Sequence, residues 1–339
     1  MPPRSRPNRR HAPVTILTIA ERVGVHPSTV SRALHPSGNP NNARTRQIRQ
    51  VAHDLGYIPH PGAASLRTHR TFAIGVTVSH LTDIVMATLY DSVERTAREL
   101  GYQSMVSSTH DDVEAQRQLI NFMLGRRVDG LIVADAHRDG RHVSWLEERG
   151  IPFILAMRHA GDHPSVTADE FLGGRLAGTH LAELGHQRVA VLAGLPWSSA
   201  FSGRAAGCLE ALHDVGIEVP DRLVVRGGAD TISAWVQTQT LLEAREEFTA
   251  IFAVNDDAAL GAVGALRERG RQPGVDVAVV GYNDIPAAAA ADLTTVNNPV
   301  ADMGAIATRR LIDQLAGAEV SSVRLAPELV VRGSSVRAR

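Results

Sequence analysis

Between Pro27 and Leu34, near the start of the chain, short hydroxyl side chains surround one long cation. If this segment is a helix, Val30, Ala33 and Leu34 fall on one face. The remaining surface then carries Pro27, Ser28, Thr29, Ser31 and Arg32. Hydroxyl and guanidinium groups on a helix can hydrogen-bond to base edges and phosphates in the major groove of DNA. The N-terminal amides of the helix also favour a phosphate, so the segment predicts a DNA-reading helix.

A helix-turn-helix would position this segment. Apolar residues at helical spacing predict a first helix from Ile16 to Val23, and Gly24 suits a tight left-handed turn. Ala20 is small where the second helix must pass closely over the first. A third helical pattern, over residues 48–55, completes a three-helix bundle. The alternative is an ordinary helical hairpin, because such spacings also occur by chance.

Charge is distributed unevenly along the chain. Residues 1–70 contain eleven arginines and two acidic residues, a net charge of +9, so the rest of this chain of net charge −1 carries −10. A basic head on an acidic body suits a protein that binds a polyanion at one end. A solvated basic tail would explain residues 4–11, but not Arg32 or Arg49, which lie among periodic apolar residues.

The composition excludes several classes of protein. Hydrophobic residues make up 44% of the chain, as in ordinary folded proteins. Apolar runs stay shorter than the roughly 18 residues of a membrane span, and the basic N-terminus lacks the apolar stretch of a secretory signal. The single cysteine, Cys208, can form neither an intrachain disulfide nor a cysteine metal cluster. We therefore expect a cytoplasmic protein without membrane contact.

From Phe72 onwards, short β-rich runs alternate with amphipathic helices. Predicted strands cover residues 72–78, 102–108, 129–134, 152–157, 188–193, 222–227, 250–255 and 277–282. Predicted helices cover residues 86–100, 113–125, 173–185, 203–214, 257–269 and 302–316. Continuous apolar strands between helices are typical of parallel sheets covered on both faces. The number of strands favours two sheets, with ligands bound at the carboxyl ends of the strands.

The motifs of both regions resemble the lactose/galactose repressor (LacI–GalR) family. The matching stretches of the basic head are Val14-Thr15-Ile16, Ile19-Ala20, Gly24-Val25, residues 29–34 and residues 55–59. Those of the body are residues 66–68, 74–75, 127–132, 184–186, 255–256, 281–284 and 293–295. The resemblance covers residues 14–335 in order and at family spacing. It implies an all-α helix-turn-helix DNA-binding domain and an α/β periplasmic-binding-protein-like core of two Rossmann-like lobes.

We accordingly predict four segments along the chain. They are a disordered basic arm at 1–13, the helix-turn-helix domain at 14–59, a hinge at 60–70 and an effector-binding and dimerisation core at 71–339. Within the core, lobe 1 is expected at about 71–167 and 298–327, and lobe 2 at about 168–297 and 328–339.

The resemblance also implies roles in DNA binding. Pro27 and Ser28 would specify bases, with support from Thr29, Ser31 and Arg32. The remaining positions implied to contact DNA are Thr15, Ile16, His26 and Leu66.

Two of these positions need separate comment. His26 replaces the serine that usually caps the second helix in the family, and imidazole is a weaker cap. Leu66, in the hinge, would be an apolar wedge in the minor groove, and its alternative is burial between domains.

A set of cleft residues follows from the resemblance as well. They are Thr82, Asp83, Arg158, Asp169, Trp197, Arg204, Asn255, Asp256 and Asn283. Arg204 matches an arginine that makes a forked contact to the ligand. An arginine with several amide and carboxylate groups at strand ends suits a polyhydroxylated molecule, so we expect a sugar or sugar-like effector. Taken singly, each residue is also explained as a helix cap or a surface group.

Some cleft positions depart from family usage. Asn283 stands where aspartate is common, Asp230 replaces a common aromatic residue, and the loop 82–86 has no aromatic residue to lie against a sugar ring. Trp197 is a candidate for that stacking face, and its alternative is a core or rim position.

These observations predict an effector-controlled repressor that binds a pseudo-palindromic operator as a homodimer. A dimer is favoured over a tetramer because no heptad tail follows Val330. A solute-binding protein with the same core is one alternative. An enzyme is the other, but the sequence has no glycine-rich dinucleotide loop, P-loop, nucleophile elbow or metal-ligand cluster. We therefore expect no cofactor and no metal.

Overall fold

A computed structural model describes residues 14–34, 42–57, 70–140 and 142–335. The predicted arm at 1–13 lies outside the described residues, as does the predicted hinge apart from Arg70, including Leu66. The chain divides into two compact units, Met1–Thr71 and Phe72–Arg339.

The first unit is a bundle of three helices, and its core is formed by one apolar face of each. The helices are α1 (Ile16–Val23), α2 (Pro27–Leu34) and α3 (Ala43–Asp54). The buried core consists of Ile19, Ala20, Val30, Ala33, Ile48 and Ala52. Gly24 ends α1 with a φ of 69°, which confirms the left-handed turn that its lack of a β-carbon predicts.

The second unit is built from strands and helices that alternate along the chain. Its strands are β1 (Ala73–Val78), β2 (Gln103–Ser108), β3 (Gly130–Val133), β4 (Phe153–Ala156), β5 (Ser165–Ala168), β6 (Val189–Gly194), β7 (Val224–Arg226), β8 (Ala250–Ala253), β9 (Ala278–Val280), β10 (Thr295–Asn297), β11 (Val323–Leu325) and β12 (Glu328–Val330). Its helices are α4 (Ile84–Glu99), α5 (Val113–Gly125), α6 (Ser144–Glu148), α7 (Glu170–Glu183), α8 (Ser199–His213), α9 (Thr231–Glu243), α10 (Asp256–Glu268), α11 (Pro286–Ala290) and α12 (Val300–Leu315).

Two separate parallel sheets organise this unit. The first has the strand order β11-β5-β4-β3-β1-β2, and the second has the order β7-β6-β8-β9. A short antiparallel pair, β10 with β12, accompanies them. The inner strands β3, β6 and β8 are buried along their whole length, as expected when helices cover both faces of a sheet. The predicted α/β core of two sheets is thus confirmed.

Several elements were not predicted. The strands β5, β10, β11 and β12 have only three or four residues each, too few to produce a recognisable period. The helix α9 is rich in β-branched residues, which lower intrinsic helix propensity, and packing against α10 stabilises it instead. In the described part of the chain, no helix is long and apolar enough to cross a membrane.

Candidate functional site

The second helix of the bundle presents a polar surface to solvent. Ser28, Ser31 and Arg32 are exposed, whereas Pro27 and Thr29 are half-buried. The Nε of Arg32 donates to the carbonyl of Ser28 at 3.3 Å, which holds the guanidinium along the helix. This surface has the hydroxyl and cationic groups that base edges and phosphates accept.

His26 caps this helix despite its departure from family usage. Its Nδ1 accepts the backbone N–H of Ser28 at 3.3 Å and lies 2.8 Å from the Ser28 hydroxyl. The cap requires the lone pair of Nδ1, so the ring must carry its proton on Nε2. His26 therefore orients Ser28 as well as starting the helix.

The first helix supports the second and adds one exposed apolar side chain. Thr15 forms a capping box with Thr18, and Ile16 packs half-buried against the core. Leu17, which sequence reasoning missed, is 62% exposed. On α3, the Nε of Arg49 donates to the carbonyl of Ala33 at 3.0 Å, so this arginine caps the C-terminal end of α2.

In the second unit, a cavity lies where strands of the two sheets end. We call it the cleft cavity. Its lining consists of Ser79, Asp83, Val85, Met86, Met157, Arg158, Ser198, Ala200, Phe201, Arg204, Asn255 and Asn283. Ser79 follows β1 and Arg158 follows β4, whereas Asn255 and Asn283 follow β8 and β9. The free volume is about 40 Å³, which is room for a few water molecules.

Five of the nine predicted cleft residues line this cavity: Asp83, Arg158, Arg204, Asn255 and Asn283. The other four, Thr82, Asp169, Trp197 and Asp256, are not part of its lining. Sequence reasoning missed the serines and the apolar wall, Val85, Met86, Met157 and Phe201. The serines Ser79 and Ser198 follow β1 and β6, so their positions after predicted strands were the available signal.

Arg204 does not present its fork to the cavity. Its Nε and Nη2 donate to the two carboxylate oxygens of Glu170 at 2.6 and 3.1 Å, and its Nη1 donates to the carbonyl of Val254 at 2.9 Å. The guanidinium carbon lies 3.8 Å from the ring centre of Tyr282. Burial alone would lower the pKa of Arg204, but the Glu170 carboxylate holds that pKa above its ordinary value.

Close packing of two helices makes this ion pair geometrically available. A β-carbon on Gly174 of α7 would collide with the carbonyl of Arg204, and one on Gly207 of α8 would collide with the carbonyl of Phe171. Because both positions are glycine, α7 and α8 approach closely enough for Glu170, at the start of α7, to reach Arg204.

Arg158 is also paired within the protein. Its Nη1 donates to Asp111 Oδ1 at 2.7 Å, and its guanidinium lies 5.1 Å from the ring centre of Trp197. Trp197 is also stacked on His137, with ring centroids 4.3 Å apart and 12° between the planes. Trp197 therefore acts at the cavity rim, between residues that follow strands of the first sheet.

Several predicted polar residues are helix caps. Asp83 accepts from the backbone N–H of Val85 at 2.8 Å, and Asn255 accepts from that of Ala258 at 2.9 Å. Asp169 likewise caps α7. Burial raises the pKa of the Asp83 carboxyl above its ordinary value. Capping leaves the free lone pairs of Asp83 and Asn255 for a ligand at the cavity wall.

Asp256 is a fully buried support rather than a lining group. Its carboxylate accepts from the Thr295 hydroxyl at 2.5 Å and from the Ile285 backbone N–H at 2.9 Å. These bonds hold the turn after β9, where Asn283 adopts the strained φ of 115°. The amide oxygen of Asn283 accepts from Asn298 at 3.1 Å. Asp256 therefore orients a cavity residue instead of contacting the cavity.

The chain is similar to known proteins along nearly its whole length. The model of "periplasmic binding proteins and sugar binding domain of LacI family" matches residues 71–327. The regulator CelR of Thermobifida fusca is 33% identical over 96% of this chain and 99% of its own length. The lac repressor dimer bound to operator and the anti-inducer ONPF superimposes with a TM-score of 0.86 at 29% identity, over 96% of this chain and 100% of that one. A CelR–cellobiose complex has a TM-score of 0.72 at 30% identity, over 95% and 99% of the two chains. The chain therefore belongs to the LacI family of transcriptional regulators.

Proposed function

We propose that this regulator represses transcription by binding operator DNA through α2, and that a sugar or sugar-like effector in the cleft cavity controls the binding. The observation that carries the proposal is the exposed surface of Ser28, Ser31 and Arg32 on a helix-turn-helix whose chain continues into a ligand-binding core. The relatives support both parts, since one solved structure contains operator DNA and another contains cellobiose.

The residues proposed to contact DNA are Thr15, Ile16, His26, Pro27, Ser28, Thr29, Ser31, Arg32 and Leu66. Those proposed to contact the effector directly are Asp83, Arg158, Asn255 and Asn283, with Arg204 and Asp256 orienting the wall and Thr82, Asp169 and Trp197 near its rim. We assign no catalytic step to the chain, and we assign it to the cytoplasm, where it would meet operator DNA.

A homodimer is the proposed active form. The helix α9 exposes Ile232, Trp235 and Val236, which are 71%, 36% and 49% exposed and lie on one helical face. Apolar and aromatic residues grouped in this way are typical of protein–protein interfaces. A two-fold dimer carries two reading helices and therefore selects an operator with two-fold symmetry.

We propose the domain limits that the sequence indicates. The helix-turn-helix domain occupies residues 14–59, the hinge 60–70 and the core 71–339. The core is divided into lobe 1, at about 71–167 and 298–327, and lobe 2, at about 168–297 and 328–339. This division is supported by the first sheet, which contains β1 to β5 and β11, and by the second sheet, which contains β6 to β9.

Selection from randomised duplexes tests this function. The full-length protein should enrich an inverted repeat, and Ser28→Ala should change the preferred bases of each half-site. Thr88→Ala, which removes an exposed hydroxyl of α4, is the control and should select the wild-type site. Failure to enrich any sequence would refute the proposed DNA reading, and an enriched site without symmetry would refute the dimer.

A further inference from the structure

The two arginines of the cleft cavity are each neutralised by a carboxylate of the protein. Glu170 accepts both the Nε and the Nη2 of Arg204, and these two side chains are 2% and 7% exposed. Asp111 accepts from Arg158 at 2.7 Å. The Arg204–Glu170 pair is bidentate, the strong form of this contact, whereas Asp111 offsets the charge of Arg158 through a single hydrogen bond. Neither arginine therefore has its full charge available for a ligand.

An anionic ligand would have to compete with Glu170. If it took the fork of Arg204, it would leave a buried carboxylate without its partner, which is a costly arrangement. The remaining charged residue among the described lining positions is Asp83, a carboxylate. It adds repulsion of a ligand carboxylate or phosphate, because like charges in a desolvated site repel strongly.

The groups left for recognition are neutral hydrogen-bonding groups. The hydroxyls of Ser79 and Ser198 and the amides of Asn255 and Asn283 line the same cavity. Such groups both donate and accept, which matches sugar hydroxyls.

From this arrangement we propose that Glu170 determines the charge of the effector: by occupying the fork of Arg204, it makes the cleft cavity accept an uncharged hydroxyl-rich molecule and reject its anionic derivatives. The proposal rests on the proposed function, since it concerns the same effector site. It makes Glu170 a specificity-determining residue that acts through Arg204.

Paired probes at constant ionic strength test the proposal on the full-length protein. Thermal unfolding and calorimetric titration would compare glucose with glucose 6-phosphate, cellobiose with cellobionate, and inorganic phosphate alone. We expect no saturable response of the wild-type protein to any of the anions. A saturable wild-type response to glucose 6-phosphate or phosphate, lost in Arg158→Gln, would overturn the proposal.

The substitution Glu170→Gln supplies the decisive comparison. The amide keeps the size of the side chain and one acceptor for Arg204 but frees a positive charge, so affinity for inorganic phosphate should increase at least about tenfold. Glu210→Gln, which breaks the surface pair with Arg175 on the same two helices, is the matched control and should leave phosphate binding unchanged. A folded Glu170→Gln protein without this gain would overturn the proposal.

If Glu170→Gln fails to fold, a second variant tests whether negative charge at the cleft cavity excludes anions. Asp83→Asn keeps an oxygen to cap α4 and removes the cavity carboxylate, so phosphate affinity should rise by roughly threefold to tenfold. Asp112→Asn, at the equivalent cap of α5 outside the cavity, should change nothing. Equal behaviour of the two variants would overturn the proposal. Phosphate binding is measured without DNA, so these outcomes are independent of operator selection.

Discussion

At the scale of single residues, carboxylates crowd together near the start of α10. Asp257 is half-buried there, close to Asp83, Asp256 and Asp230. Burial, followed by repulsion from these three groups, raises the pKa of Asp257 from 3.8 to about 6. The folded chain therefore holds this proton more tightly than the unfolded chain does, and this group lowers stability as pH rises between those two values.

The substitution Asp257→Asn removes the loss of folding stability that ionisation of this carboxyl causes. We expect the melting temperature to rise by about 2 °C at pH 7.5, where the wild-type carboxyl is ionised, and to change little near pH 4, where it is protonated in the fold. Thermal unfolding followed by circular dichroism measures both values. Asp162→Asn, at an exposed loop carboxylate, is the control. An equal gain at both pH values would show that ionisation is not the cause.

The position of a cavity residue can be predicted from the sequence where a single strand decides it. Asn255 and Asn283 follow strands that the sequence itself indicates, so their place at the cavity edge could be predicted. The orientation of Arg204 could not, because it depends on how closely two helices approach through Gly174 and Gly207. Asp256 follows Asn255 directly, yet its carboxylate turns inward to bind Thr295 and Ile285.

At the scale of elements, the loop between β6 and α8 holds the two sheets together at one rim of the cavity. The carbonyl of Trp197 accepts a hydrogen bond from the backbone N–H of Arg138 at 2.9 Å. The hydroxyl of Ser199 accepts one from the backbone N–H of His159, also at 2.9 Å. The Trp197 ring is stacked on His137 and faces Arg158. Loops that follow strands of both sheets therefore meet here.

Trp197→Ala should loosen this rim. Stacking and cation–π contacts of this kind contribute about 1 kcal/mol, so the amides of Arg138 and His159 should exchange with solvent roughly fivefold faster. Hydrogen-exchange mass spectrometry measures both segments. Trp197→Phe retains a stacking ring, so its exchange rates should lie between those of the wild-type protein and those of Trp197→Ala. Unchanged exchange in Trp197→Ala would mean that the backbone hydrogen bonds suffice to join the loops.

Element prediction depended on length and composition. Long amphipathic helices such as α4 and α10 were predicted within two residues of their observed starts, because their periodicity extends over several turns. The edge strand β11 pairs with β5, and that pairing joins segments far apart in the chain. Their formation is a consequence of tertiary structure that no local pattern contains.

At the scale of the whole molecule, one chain contains a basic end, which we propose reads DNA, and an acidic core, which we propose binds the effector. The net charge of +9 over residues 1–70 favours the binding of a polyanion such as DNA, whereas the negative charge of the remaining residues disfavours it. The family resemblance predicted this division and the α/β core, both of which depend on motifs spread along the chain. The shape of the cavity could not be predicted, since it arises from contacts between two sheets.

The central claim is that effector binding and operator binding are coupled, and one titration tests it directly. Operator affinity of the full-length protein is measured with and without the neutral sugar that stabilises it most, and sugar affinity is measured with and without operator. We expect each ligand to change the affinity for the other by the same factor, about fivefold or more, because thermodynamic coupling is reciprocal. Operator affinity that stays constant while the cavity is saturated with sugar would contradict the account.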